Sequence, residues 1–289
     1  MFHPGLLALP LLLVAGGCSA LAEEPEGVQV TTAFYPLQYA AQRVTGDLAA
    51  VENLTAPGTE PHDLELTIRE TAMVAESELV IHQEGFQPAV DEAIAQNATG
   101  EVVDAAEAVN LRRAENGAID PHFWQDPLRM ADLGDAIADQ LSEIDPDHSA
   151  DYATNAAALR VDLESLDAAY ADGLADCERS TVVVSHDAFG YLTKYAIILA
   201  PVAGVSPDAE PTPAALAALQ QLIADEGITT VFSETLASPR LTETLANDLG
   251  IGTDILDPLE GLTESTDGED YLTLMRANLA VLEEANGCR

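Results

Sequence analysis

Apolar residues recur along this 289-residue chain in two rhythms. Short continuous apolar runs alternate with stretches whose apolar positions fall three and four apart. That alternation marks parallel β-α units, in which each strand is followed by a helix that packs back on the sheet. The pattern predicts strands over 28–32, 51–54 and 79–81, with helices over 37–44 and 67–75. This first lobe occupies 27–146, and its regular part ends near Ile144. From His148 to Leu174, the residues Tyr152, Ala156, Leu159, Leu163, Leu166, Tyr170 and Leu174 stand at helical steps with no glycine or proline before Gly173. Residues 147–175 therefore read as one long amphipathic helix of about 40 Å. A second lobe, 176–289, opens with a strand over 181–185, adds a helix over 214–224 and a strand over 229–233, and runs late through Ile255-Leu256 into a loop at Asp257. The expected fold class is α/β: two lobes, each with a parallel sheet flanked by helices, joined by one long rigid helix. No repeat of solenoid period is present.

Ahead of the first strand, the apolar run 5–15 has signal-peptide length and falls short of the roughly 20 residues that span a bilayer. Residues 1–22 read as an export signal. Ala15-Gly16-Gly17-Cys18 resembles a bacterial lipobox and Ala20-Leu21-Ala22 fits ordinary cleavage; the reading favours lipidation at Cys18. The first five residues lack lysine and arginine, a departure from the usual charged start, so the true start is expected slightly upstream. By either route Cys18 leaves the disulfide count, and Cys177 and Cys288 remain as an even pair in an oxidising compartment. A disulfide between them would pin the C-terminus to the start of the second lobe and contribute about 2–4 kcal/mol. The alternative is a pair of buried free thiols.

Charge narrows the function classes. Fifty acidic residues oppose eleven basic ones, a formal charge of −39, and Lys194 is the single lysine. Such a surface excludes general nucleic-acid binding and repels anionic lipid, leaving a lipid anchor as the chain's one means of membrane attachment. Its self-repulsion is relieved where salt shortens the Debye length to about 3 Å, near 1 M, which points to a salt-loving source.

Three of the six histidines lie in loops with unusual neighbours: Glu60-Pro61-His62-Asp63, Asp120-Pro121-His122-Phe123-Trp124-Gln125-Asp126, and Ser185-His186-Asp187. All three are expected near strand-to-loop junctions, which line one edge of a parallel sheet, where ligands bind. Zinc prefers four tetrahedral donors, so three imidazoles call for one more, and the strand-end carboxylate Asp257 is the expected fourth ligand. Each histidine alone reads more readily as hydrogen-bonded structure or surface than as a ligand; their recurrence in similar loops favours a metal site. His82 and His148 lack the pattern, and His148 reads as a surface residue at a helix start.

These motifs resemble the metal-specific substrate-binding proteins of zinc and manganese ABC transporters, over nearly the whole mature chain. Pro61-His62-Asp63 is similar to that family's first histidine loop, Asp120-Pro-His122-Phe-Trp to its second, Ser185-His186-Asp187-Ala-Phe-Gly-Tyr191 to its third, and Leu256-Asp257-Pro to its carboxylate loop. The resemblance implies a metal clamped between two lobes by two ligands from each, little opening about the rigid helix, and no enzymatic activity. Zn2+ is the implied cargo and Mn2+ the less favoured one, because manganese members usually carry a carboxylate where His186 stands. The histidine-rich loop of many zinc members is missing, since 101–119 holds no histidine, so supply by a separate zinc metallochaperone enters as an alternative. The implied partners are an ABC permease and its ATPase, with the receptor monomeric and extracytoplasmic. Glu234 matches a recurrent family acid, and Asp63, Asp126 and Asp187 are candidates for holding imidazole N–H groups, or equally for capping loops. Surface adhesion, described for some family members, is compatible with this reading. The rival is a zinc hydrolase, but the chain has no HExxH helix, no G-x-S-x-G elbow and no P-loop.

Overall fold

The computed structural model describes residues 27–113, 117–266 and 268–289. The export segment, His3 and the lipidation candidate Cys18 lie outside the described residues. Strands β1 (Val28–Thr32), β2 (Ala49–Asn53), β3 (Leu79–His82) and β4 (Glu101–Asp104) form one sheet, ordered β2-β1-β3-β4 and parallel throughout. Helices α1 (Tyr35–Thr45), α2 (Ile68–Glu76) and α3 (Pro88–Asn97) supply its crossovers, and the short α4 (Ala105–Val109) follows β4. Local chemistry sets these boundaries: Pro36 opens α1, and α2 starts from a capping box in which Thr67 and Glu70 satisfy each other's backbone N–H groups.

Two helices form the spine. Asp126 caps α5 (Pro127–Ile144) and accepts from the Leu128 N–H, and a short turn leads into α6 (Ser149–Gly173). Its 25 residues span about 37 Å, close to the expected length. The stripe Tyr152, Ala156, Leu159, Leu163, Leu166 and Tyr170 is buried without exception. The helix touches both lobes: Asn155 Nδ2 donates to the Val44 carbonyl, and the Tyr170 hydroxyl donates to the Met275 carbonyl.

The second sheet repeats the first one's order, as β6-β5-β7-β8, from β5 (Thr181–Val184), β6 (Ile198–Pro201), β7 (Thr230–Ser233) and β8 (Gly252–Ile255). Helices α7 (Pro213–Glu226) and α8 (Arg240–Leu249) connect its strands, and α9 (Tyr271–Asn286) returns to pack on α6. One continuous core runs from Val30 through the spine to Leu282, while the outer part of the second lobe carries a small core of its own around Val183, Ile223, Val231 and Leu245. Cys177 and Cys288 form the expected disulfide. Among the described residues no helix is long and apolar enough to cross a membrane.

Candidate metal centre

Four irregular segments meet between the lobes. His62 belongs to the stretch between β2 and α2, anchored where Gln87 Nε2 donates to the Pro61 carbonyl and the Gly58 N–H to the Leu262 carbonyl. His122 follows an antiparallel bridge, Arg113 to Ile119, and enters the 3-10 turn Phe123–Gln125 that leads into α5. His186 lies two residues beyond β5, and Glu260 five residues beyond β8. Only His186 therefore sits at a strand end; His62 and His122 come from longer excursions than the sequence pattern implied.

The Nε2 atoms of His62, His122 and His186 lie 3.4, 3.3 and 3.4 Å from one atom, Glu260 Oε1. A good N–H···O hydrogen bond is about 2.9–3.0 Å, and one carboxylate oxygen is poorly disposed to accept three. Donors at 2.0–2.1 Å from a tetrahedral zinc ion, in contrast, are separated by about 3.3–3.4 Å. His122 Nε2 and His186 Nε2 are buried without a hydrogen-bond partner. The four side chains offer one donor atom each, all within 4.8 Å of one another.

Behind the rings the charges are ordered. Asp120 Oδ1 accepts from the His122 backbone N–H at 3.1 Å and faces its Nδ1 at 3.0 Å. Glu234 Oε2 lies 2.8 Å from His186 Nδ1, with the ring turned so that the contact is ionic rather than a straight hydrogen bond. A carboxylate at Nδ1 holds the proton there and turns the Nε2 lone pair inward. Burial opposes charge on His186, but the Glu234 and Glu260 carboxylates outweigh it and push its pKa up to about 10. His122 is raised in the same way by Asp120 and Glu260 against its burial. Glu260 is fully buried, which raises a carboxyl, yet the three histidines hold it well below its ordinary value. The arrangement is a compact cation-binding nest whose alternative occupant is protons.

The fourth donor differs from the sequence expectation. Asp257 is buried but absent from the cluster: its Oδ1 accepts from the Leu259 N–H, its Oδ2 from the Thr235 hydroxyl, and its backbone pairs with the Asn278 side chain. Leu259 then adopts φ 60°, and this left-handed residue swings Glu260 inward. A strand-end rule selects the first acid after the strand; the acid one turn later is the one the backbone aims at the histidines. Glu234 lies against the outer nitrogen of His186. Asp126 does not approach a histidine, because it caps α5 and bonds Lys194 Nζ at 2.7 Å. Asp63 is exposed, and Asp187 is held by its backbone N–H to the Gly204 carbonyl, with burial raising its carboxyl pKa. Sequence reasoning missed Asp120 in this role, although its place two residues before His122 was the available signal. His82 pairs with Asp91 and His148 with Asp145, both outside the cluster.

Comparison with known proteins places this geometry among relatives. The family described as zinc-uptake complex component A, periplasmic, matches residues 30–285. The chain is 33% identical to the zinc-binding lipoprotein AdcA of Streptococcus pneumoniae, over 96% of this chain and 60% of the relative. It is 29% identical to the high-affinity zinc uptake system protein ZnuA of Bacillus subtilis, over 89% of this chain and 87% of that one. The chain thus spans about three fifths of the length of the pneumococcal relative. Among solved structures, Zn(II)-bound AdcA from Streptococcus pneumoniae superposes with TM-score 0.78 at 34% identity, covering 90% of this chain and 58% of that one. The laminin-binding protein Lmb of Streptococcus agalactiae, described as having adhesin and metal-transporting activity, gives TM-score 0.84 at 28% identity over 90% and 99% of the two chains.

Proposed function

We infer function from one premise: the chain belongs to the family of the periplasmic zinc-uptake complex component A. On it we propose that the protein captures a transition-metal ion, zinc foremost, outside the cytoplasmic membrane and delivers it to the permease of an ABC importer driven by its ATPase. His62, His122, His186 and Glu260 are the ligands. The observation that carries this reading is the set of three Nε2 atoms at 3.3–3.4 Å from one glutamate oxygen, the edge length of a tetrahedral zinc shell.

Three imidazoles suit zinc, whereas an all-oxygen set would suit magnesium, calcium or manganese. Four protein donors fill the tetrahedron, which argues against hydrolysis, because a catalytic zinc keeps a position open for water. Capture therefore makes and breaks no covalent bond in the cargo: the neutral imidazoles and the ionised Glu260 take the ion, and protons leave. A cleft of about 350 Å³, walled by Glu60, Ser185, Asp208, Glu210 and Glu234, reaches the edge of the site and gives the ion an acidic approach.

Elemental mass spectrometry of native protein, with calorimetric titration of stripped protein, tests the reading. One zinc per chain in the wild type, and binding weakened more than a hundredfold in His122→Ala, is the expected result. Undiminished binding by His122→Ala would remove the site, and hydrolytic activity of the zinc-loaded protein would make it an enzyme.

A further inference from the structure

Tyr191 comes from the second lobe, in the 3-10 turn Gly190–Tyr195 just beyond His186, yet its polar atom is spent on the first. Its hydroxyl donates to the Asp120 carbonyl at 2.9 Å and accepts from the Arg112 N–H at 2.9 Å. It thereby joins the two chain segments that also pair directly, Asp120 N–H to the Arg112 carbonyl. Arg112 and Arg129 stack on the ring at 5.4 and 5.2 Å from its centroid. Both guanidinium groups come from the first lobe, so the ring is gripped by it. Next door, Gly190 packs so closely against the Asp120 carboxylate and the Arg112 guanidinium that a Cβ there would collide with both.

Asp120 is the residue this grip holds in place. Its Oδ1 receives both the backbone N–H and the Nδ1 of His122, and its Oδ2 lies 3.7 Å from Arg112 Nε. A small displacement of Asp120 would rotate the His122 ring and move its donor atom off the tetrahedral position. We propose that the Tyr191 hydroxyl is a positioning residue for the metal: acting through Asp120, it fixes His122 from the opposite lobe, so that lobe apposition and donor geometry are one event. The inference rests on the zinc-capture reading above and adds to it a cross-lobe determinant of how long the ion stays.

Tyr191→Phe tests this, since it keeps the ring and both stacked guanidinium groups and removes only the hydroxyl. Tyr195→Phe is the comparison: it deletes a hydroxyl from the same turn, one that donates to Asp167 at 2.6 Å and has no bond to Asp120 or His122. Zinc release into excess chelator and the association rate are followed by stopped flow, and the visible bands of the cobalt(II)-substituted protein report donor geometry. Tyr191→Phe should release zinc on the order of tenfold faster, the low end of what partners behind metal-bound histidines are worth. Its association rate should be unchanged, its cobalt bands shifted, and Tyr195→Phe should match the wild type in all three. Because Tyr191 acts through the Asp120 side chain, adding Tyr191→Phe to Asp120→Ala should speed release no further. Wild-type rates and bands in Tyr191→Phe, or equal acceleration by the two tyrosine variants, overturn this inference alone. A wild-type protein that takes up neither zinc nor cobalt overturns the capture reading and this inference together.

Discussion

The imidazoles of His122 and His186 are wholly enclosed, and each has a carboxylate at its outer nitrogen. His62 keeps 11% of its side chain in solvent; its near neighbours are the edge of Phe86 and, 4.0 Å from its inner nitrogen, Glu60. The supports differ as well. Trp124 Nε1 and Gln125 Nε2 both donate to the Pro258 carbonyl, at 2.7 and 2.6 Å, which ties the segment after His122 to the segment before Glu260. Tyr191 ties the His186 segment to Asp120. Three donors thus form a braced tripod that spans both lobes; the fourth, His62, rides on a stretch without regular structure between β2 and α2, anchored at Gly58 and Pro61, and its carboxylate contacts among the described residues are all at its inner nitrogen. A braced set supplies affinity because its geometry is fixed before the ion arrives, and a donor whose ring has fewer ties and stays partly open to solvent supplies a way in and out.

The largest expected effect breaks the comparison if it fails. Structural zinc binds with about 10–16 kcal/mol, so one donor in four is worth roughly 3 kcal/mol, or more than a hundredfold in affinity. Glu260→Gln should lose at least that in competition with a chromophoric chelator, and His62→Ala distinctly less, with its loss concentrated in the release rate. Equal losses would mean that bracing carries no energetic weight. Asp257→Asn sharpens the division inside one loop: the amide oxygen still accepts from Leu259, so affinity should fall by less than about tenfold. Abolished binding would make Asp257 a donor after all.

The smallest effect is thermal. His186 has a folded-state pKa raised to about 10, so its imidazolium stabilises the zinc-free fold fully below the ordinary value near 6.5. That contribution is lost as pH rises toward 10. Zinc-loaded protein, with neutral rings, has no such term to lose. The melting-temperature gap between loaded and stripped protein should therefore widen from pH 6 to pH 9, by roughly 2–4 °C for each kcal/mol of linkage, as read by scanning calorimetry. A constant gap would show that His186 is already neutral without the ion.

Legibility in the sequence followed burial. The spine helix α6 could be read almost to the residue, because its buried stripe is uninterrupted and contains no breaker until its last turn. Strand β5, buried at every position, was equally clear. Strand β8 is exposed along its whole length, so no apolar run announced its extent, and the expected strand at Ile255-Leu256 overlaps only its last residue. The three histidines stood out through their Pro- and Asp-bearing neighbours. Glu260 did not, since its orientation depends on the left-handed Leu259 and on the Asp257 hydrogen bond, both properties of the folded loop. The Tyr191 clasp was invisible for a related reason: its partners lie 71 and 79 residues away.

The Cys177–Cys288 bond gives the molecule a topology that its lobes conceal. Covalently, the C-terminal part of the chain is a closed ring, and everything before Cys177 hangs from it as a tail. One protease cut within the ring linearises it but frees nothing: the pieces stay joined until a reductant is added, and a gel run without one reports an intact mass. A cut in the tail releases a fragment at once. Proteolytic mapping under both conditions would therefore sort nicks by lobe from fragment mass alone.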